Sequence, residues 1–307
     1  MKKNKSKILM VVLFLLPALL LFIGVLIAPI IMSVFYSFYD MKSISLKGAD
    51  FIWFGNYKEL FTSGSISFWK ALGNSMLLAF LSVFLQLPLY LGLALMLGKG
   101  IKGERGFLSV YFMPVLISTV VIGQLWRKIY NPDYGILNAV LGLLGMADKM
   151  PTGGWLGNEK SALWCVFVPT LWQYVGYHML LMYAGVRSVS PELREAAKLD
   201  GATDAQVDWY VVIPSIKPIL RVSVIFAVTG SLKSFDLIYV LTNGGPFHAT
   251  EVPSTLMINM LFERNRYGMG STIAVMMITL CFAFAILISA AFKERENYGR
   301  KKHTEDI

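Results

Sequence analysis

Charge is what this sequence has least of. Only 15% of its 307 residues are Asp, Glu, Lys or Arg, against roughly 25% in a soluble domain. With 56% hydrophobic residues and a mean hydropathy of +0.59, the deficit excludes an ordinary water-soluble globule and makes lipid the solvent for much of the chain. Cysteine is nearly absent. Cys165 and Cys281 stand far apart inside apolar runs, so they read as packing residues and not as a disulfide or metal pair. Histidine occurs three times, no His/Cys/carboxylate cluster has metal-ligand spacing, and no nucleophile–base pair is placed for catalysis. The phosphate loop G-x-x-x-x-G-K-[ST] is missing too, because Gly98-Lys99-Gly100 lacks both the earlier glycine and the hydroxyl residue. The expectation is a chain that is not an enzyme, with no metal site and no catalytic residue. The net charge of +9 does not point to nucleic acid, since the basic residues form no stripe with interleaved aromatics.

Long uncharged runs are what the chain has instead. They cover Ile8–Tyr39, Ala71–Gly98, Gly106–Trp126, Ser161–Val186 and Tyr267–Phe292, and a sixth, from Val222 to Leu241, is interrupted by Lys233 and Asp236. A span needs roughly 20 mostly apolar residues, so the reading is an all-α polytopic bundle of six spans, approximately 9–36, 71–98, 106–126, 161–186, 216–241 and 267–292. With no internal repeat and no low-complexity linker, 1–307 forms one membrane domain. The first run far exceeds the roughly 7–15 apolar residues of a signal-peptide core, and no small-x-small site ends it, so it reads as a retained helix. Lys and Arg number 17 in the 64 residues of one set of alternate segments and 10 in the 98 residues of the other. The positive-inside rule then places both termini in the cytoplasm. The stretch Ile136–Met146 is too short to span and reads as an interfacial or re-entrant helix on the outer face.

The longest inside segment carries the most information. Residues 188–214 parse as a helix-turn-helix between spans four and five. Ser190 and Pro191 start the first helix, with Glu192 and Glu195 in its first turns. Gly201 ends it at a position suited to positive φ. Thr203 and Gln206 form a capping box for the second helix, Pro214 closes that helix, and Pro218 opens the next span. Five acids (Glu192, Glu195, Asp200, Asp204 and Asp208) face two bases, Arg194 and Lys198. Helices that lie on anionic headgroups are usually basic, so a protein-docking element is favoured over a membrane-surface one.

The run Glu195-Ala196-Ala197-Lys198-Leu199-Asp200-Gly201-Ala202, then a spacer, then Val211-Val212-Ile213-Pro214, resembles the EAA loop of permease subunits in binding-protein-dependent ABC importers. Val and Ile replace the usual pair before the proline. Leu241-Thr242-Asn243-Gly244-Gly245-Pro246, Tyr267-Gly268-Met269-Gly270-Ser271, and a first span bracketed by Pro17 and Pro29 resemble the carbohydrate branch of that family. The likeness extends from about residue 10 to 295. It implies a bacterial-type inner-membrane protein forming half of a sugar pathway. Its partners would be a second permease (a heterodimer), two ATPase subunits that bind ATP and magnesium, an extracytoplasmic solute-binding protein, the carbohydrate and membrane lipid. No cofactor would sit in this chain. Glu195, Ala196, Ala197, Asp200, Gly201 and Pro214 would then couple to the ATPase, with Glu195 either capping the element or touching the ATPase.

For the substrate path the residues leave alternatives open. Lys233 lies about 18 Å up its helix from Arg221 at 1.5 Å per residue. Charges at that depth face a cavity or each other, and the Lys233–Asp236 spacing suits a local ion pair as well as a substrate contact. Gly230, Ser234 and Phe235 are their neighbours, and the resemblance favours a cavity lining. Span four offers Trp172, Gln173, Tyr174, Tyr177 and His178, whose rings and polar groups suit sugar faces and hydroxyls. They do not all share one helix face; Gln173 and Tyr177 are the pathway candidates, and His178 reads as a packing residue. The competing reading is an ion-coupled secondary transporter using Lys233 and Asp236.

Overall fold

The computed structural model describes residues 2–43, 45 and 47–305. The expectations for the extreme ends, Met1, Asp306 and Ile307, lie outside the described residues, as do the side chains of the basic tails at 2–9 and 293–305. Most of the described chain is helical. It divides into two compact units, residues 1–66 with 256–278 and residues 67–255 with 279–307.

The first unit opens with α1 (Lys2–Leu21), a π-helical turn at Phe22–Ile27 and α2 (Ala28–Tyr36). They supply a span-length helix at Val12–Tyr36 whose most apolar window has no buried residue. A helix apolar on every face and uncovered by protein is stable where lipid solvates it. The chain then forms a short antiparallel ladder of β1 (Tyr39–Asp40) and β2 (Asp50–Phe51) before α3 (Gly55–Thr62). Buried Asn56 donates from Nδ2 to Ser37 O and Tyr39 O, both at 2.9 Å. These carbonyls follow the end of α2, where the helix leaves acceptors unpaired. A bidentate pair closes the unit: Arg266 Nη1 and Nη2 donate to Glu59 Oε1 and Oε2 at 2.7 and 2.5 Å.

In the second unit α4 (Phe68–Leu81), a π turn at Ser82–Gln86 and α5 (Leu87–Gly98) make one long helix. Helices α6 (Glu104–Leu116) and α7 (Thr119–Ile129) follow, then the short α8 (Ile136–Leu143) within the predicted interfacial stretch, and α9 (Glu159–Ser188). Beyond them come α10 (Pro191–Leu199), α11 (Asp204–Val207), a π turn at Asp208–Val212 and α12 (Ile213–Ser215). Helices α13 (Lys217–Leu232) and α14 (Asp236–Leu241) complete this part. Two further helices, α15 (Pro253–Ile258) and α16 (Tyr267–Glu305), contribute residues to both units. The core is built on α9. Its Val175, Met179, Met182 and Val186 recur at three- and four-residue steps and meet Leu87, Tyr90, Ala94 and Leu97, spaced likewise on α5. Gly176 lets α6 approach: a Cβ there would lie 2.5 Å from Phe112 Cα.

Among the described residues four helices are long and apolar enough to cross a membrane, or five if α6 and α7 count as one. The expected third span, 106–126, is not a single rod, because its two halves meet at 94°. Ile117 and Ser118 leave the helix for extended ψ of 137° and 132°, just past Pro114, whose ring cannot continue an ordinary hydrogen-bond ladder. The expected fifth span, 216–241, is interrupted at Lys233–Phe235. The expected fourth is α9, a 30-residue helix about 45 Å long. It falls below the apolarity of the others, and 14 of its residues are buried. A helix sheathed by protein can carry polar groups that lipid would reject.

Candidate functional site

A cavity of about 370 Å³ opens in the second unit where α9, α13, the α6–α7 bend and the α13–α14 break converge. Six of the seven pathway candidates line it: Tyr177, Gly230, Lys233, Ser234, Phe235 and Asp236. Lys233 terminates α13, where the helix dipole favours a cation, and Asp236 begins α14. Among the described residues no ion pair joins them. The break between them is held by Ser254 Oγ, which donates to Ser234 O. Phe235 stacks on Tyr239 with centroids 5.1 Å apart.

The seventh candidate is placed elsewhere. Gln173 does not line the cavity; it is 3% exposed, and its Nε2 donates to Thr119 Oγ1 at 3.0 Å. Thr119 is itself a cavity residue, the first of α7 after the bend. Thr170, Tyr174 and His178 line the cavity too. With Tyr177 they recur at four-, three- and one-residue steps, a single stripe on α9 that was legible as helical spacing. Trp172 lies off that stripe and packs edge-on against Trp126 at 6.2 Å. His178 is buried and stacks on Tyr90 at 6.0 Å, as a packing residue would. Its Nδ1 nevertheless has no hydrogen-bond partner among the described residues. Thr119 on α7, Phe226 on α13 and Gln86 on the α4–α5 π turn had no signal of their own, since only the tertiary fold brings them to the wall. The lining offers aromatic faces, hydroxyls, an amide and one charge of each sign. Among the described residues no group of three His, Cys, Asp or Glu side chains is placed to hold a metal ion.

The second candidate site is the hairpin of α10 with the continuous helix Asp204–Ser215. Gly201 sits at φ +86°. Gly201 N donates to Lys198 O and Ala202 N to Ala197 O, both at 3.0 Å, the pair of bonds that ends a helix through a left-handed residue. Thr203 then accepts from Gln206 N at 3.4 Å, while its own N donates to Gln206 Oε1 at 2.8 Å, so the capping box is formed. Ser190 stands at the other N-terminus without capping the backbone. Its hydroxyl bonds Glu192, which holds that carboxyl below its ordinary value. The Lys198 ammonium, 2.8 Å away, likewise lowers Asp204. Glu195 caps neither helix; it is exposed beside a charged recess. Pro214 does not close the second helix, which runs on through Ser215. The π turn just before it changes the bonding pattern, so the missing proline N–H interrupts nothing. Ala196, Asp200, Gly201 and Pro214 are exposed, and Ala197 packs partly into the core. Leu193, Leu199, Trp209 and Tyr210 leave 54–89% of their surface uncovered.

The chain has relatives among known proteins. The chain is 36% identical over 292 residues to a probable ABC transporter permease protein, YurN, of Bacillus subtilis, covering 94% of this chain and 98% of the relative. It is 30% identical to the trehalose/maltose transport system permease protein MalF of Thermococcus litoralis, covering 90% of each. A chain from the crystal structure of a bacterial ABC transporter involved in import of the acidic polysaccharide alginate superposes with a TM-score of 0.81 at 22% identity, over 95% of this chain and 98% of that one. That similarity speaks for the fold. Residues 3–295 match the family described as the binding-protein-dependent transport system inner membrane component. On that match the chain is a multi-pass membrane transport subunit and belongs to this family.

Proposed function

We propose that the chain is one of two permease subunits of an ATP-driven sugar importer, working by alternating access. The observation that carries this reading is the exposed hairpin, closed by Gly201 and the Thr203–Gln206 capping box, which presents apolar side chains and, with its acids outnumbering its bases, a net negative charge. Contiguous exposed apolar surface marks a partner site. The partner is a separate ATPase, which binds ATP and magnesium and carries the hydrolysis; Glu195, Ala196, Ala197, Asp200, Gly201 and Pro214 form the docking element. In this reading α9 and the bent α6–α7 pair both cross the bilayer, giving six spans with both termini cytoplasmic.

The second permease is distinct in sequence, so the reading is a heterodimer, with an extracytoplasmic binding protein delivering the cargo. One relative is named for trehalose and maltose, another for diacetylchitobiose, and a neighbouring structure was solved in complex with an alginate pentasaccharide-bound periplasmic protein. Carbohydrate is the cargo class that also suits the cavity. Sugar C–H faces stack on rings such as Tyr177 and Phe235, and hydroxyls find Ser234, Thr119 and the two charged groups. Gln173 serves behind the wall, holding Thr119. The family match leaves ion-coupled transport without support.

Affinity purification of the tagged chain from its native membrane in mild detergent tests the reading. Co-purification of an ATPase and a second permease is the expected result, after which the binding protein is screened against radiolabelled trehalose, maltose and chitobiose. Recovery of the chain alone would overturn it.

A further inference from the structure

Beneath the hairpin lies a recess of about 540 Å³ whose charged residues include Lys99, Arg194, Glu195 and Asp208. Most of the charges here are exposed. Lys198 pairs with Asp204 across the turn, within the hairpin, and Arg194 reaches off it to donate to Val186 O at the foot of α9. One ion pair leaves the hairpin for α5. Lys99 Nζ lies 3.0 Å from Asp208 Oδ2, and the Asp208 side chain is only 13% exposed. Asp208 opens the π turn in the second hairpin helix, whereas Lys99 is the residue that ends α5. The bond therefore ties the hairpin to an element outside it.

The other end of α5 is informative. It continues without interruption into the π turn Ser82–Gln86, and both Ser82 and Gln86 line the cavity. From Gln86 to Lys99 is about 20 Å along a helix at 1.5 Å per residue. One rigid helix thus has a cavity wall at one end and a charge pair to the hairpin at the other. Apolar contacts alone would seat the hairpin: Val207, Val212 and Ile216 are buried against the α5–α9 core. Such contacts are non-directional and slide. A half-buried ion pair fixes a direction, and breaking one by removing a single partner leaves the other charge uncompensated.

We propose that the Lys99–Asp208 pair is the latch through which movement of the hairpin is passed to α5 and so to the cavity wall. Lys99 and Asp208 are positioning residues, and the proposal rests on the reading of the hairpin as the ATPase-coupling element.

The test uses the assembled complex in inside-out membrane vesicles. A reporter cysteine at Thr229, on the cavity wall, is labelled with a charged, membrane-impermeant methanethiosulfonate, with and without ATP plus vanadate. Labelling of the native Cys165 and Cys281 is subtracted using the chain that lacks the reporter. With the latch intact, vanadate trapping should change the labelling rate at least fivefold. In Lys99→Ala and Asp208→Ala the change should fall below twofold, while the ATPase still co-purifies and hydrolyses ATP within threefold of the parent rate. Lys99→Arg should keep the change, and the charge swap Lys99→Asp with Asp208→Lys should restore at least half of it. Restoration by the swap supports the latch even if the single variants assemble poorly, since a general loss of fold would not be repaired by exchanging charges. A full response in the single variants, or an assembled swap that stays unresponsive, would overturn the latch. An intact-latch reporter that ignores ATP and vanadate would instead overturn the coupling reading itself, and the latch with it.

Discussion

At the scale of single residues, two glycines are needed for opposite reasons. Gly201 has φ +86°, and a Cβ there would meet nothing within 4 Å. The cost of replacing it is therefore in the backbone, about 1–2 kcal/mol for an L-residue held in the left-handed region. Gly201→Ala should speed amide exchange across residues 191–215 by about 5- to 30-fold, Gly201→Asn by less, and neither should alter the melting of the whole chain. Gly201→Arg adds bulk and charge to the surface proposed to dock the ATPase, and is expected to abolish uptake while leaving the protein inserted. Gly176 has ordinary φ but no room, so Gly176→Ala should push α6 from α9 at about 1–3 kcal/mol. Its signature is the reverse: lower melting temperature, unchanged hairpin exchange. Charge offers a third test. The hydrogen bonds from Arg266 hold Glu59 below its ordinary value of 4.5, with burial opposing. A depressed carboxylate contributes fully above its unfolded value and loses its contribution as pH falls through the folded one. The melting temperature should therefore fall on acidification below about pH 4.5, and Glu59→Gln should flatten that part of the profile. The effect is small, about 0–1 kcal/mol for a pair this exposed, and parallel profiles for the two proteins would refute it.

At the scale of elements, the caps around Gly201 were legible, whereas the bend at Ile117–Ser118 was not. The Thr203–Gln206 box and the Gly201 turn follow from local chemistry, which a sequence displays directly. Thr203→Ala should cost about 1 kcal/mol. Ser190→Ala should cost less, because the Ser190 hydroxyl bonds Glu192 and not a backbone N–H; comparing hairpin amide exchange in the two variants checks the order. Prolines were harder to read. Three of the four π turns among the described residues, at Phe22–Ile27, Ser82–Gln86 and Asp208–Val212, each end two residues before a proline, namely Pro29, Pro88 and Pro214; the fourth, Asn259–Glu263, does not. A proline removes a donor and crowds the carbonyl four residues back; the wider turn gives that carbonyl another place to go. So Pro214 belongs inside a helix where it looked like a stop. The bend at Ile117–Ser118 was invisible for another reason: its run is uncharged from end to end, and hydropathy cannot tell a straight helix from a folded one. The cavity shows the same division. The stripe on α9 and the Lys233–Asp236 interruption could be found by spacing and charge, whereas the role of Gln173 behind Thr119 depends on a contact 54 positions away in sequence.

At the scale of the molecule, the open quantity is how many times the chain crosses the bilayer, and the bent pair decides it. Helix α6 has 13 residues and α7 has 11, about 20 and 17 Å, each short of the roughly 30 Å of hydrocarbon. Joined at 94°, they either cross together or turn back to the side on which α6 began. The first alternative keeps the basic segments 99–105 and 187–221 on one side with both tails, as the excess of Lys and Arg there requires. The second would carry residues 130–158 to the side of Lys102 and, through α9, send the hairpin to the far side. Single cysteines at exposed Gly64, Lys102, Thr152, Ala205 and Glu263 separate the two. Six crossings require Gly64, Thr152 and Glu263 to react with an impermeant maleimide in intact cells, and Lys102 and Ala205 to react only after permeabilisation. Thr152 labelled only after permeabilisation, with Ala205 labelled in intact cells, would mean that the pair turns back. The hairpin could not then reach a cytoplasmic ATPase.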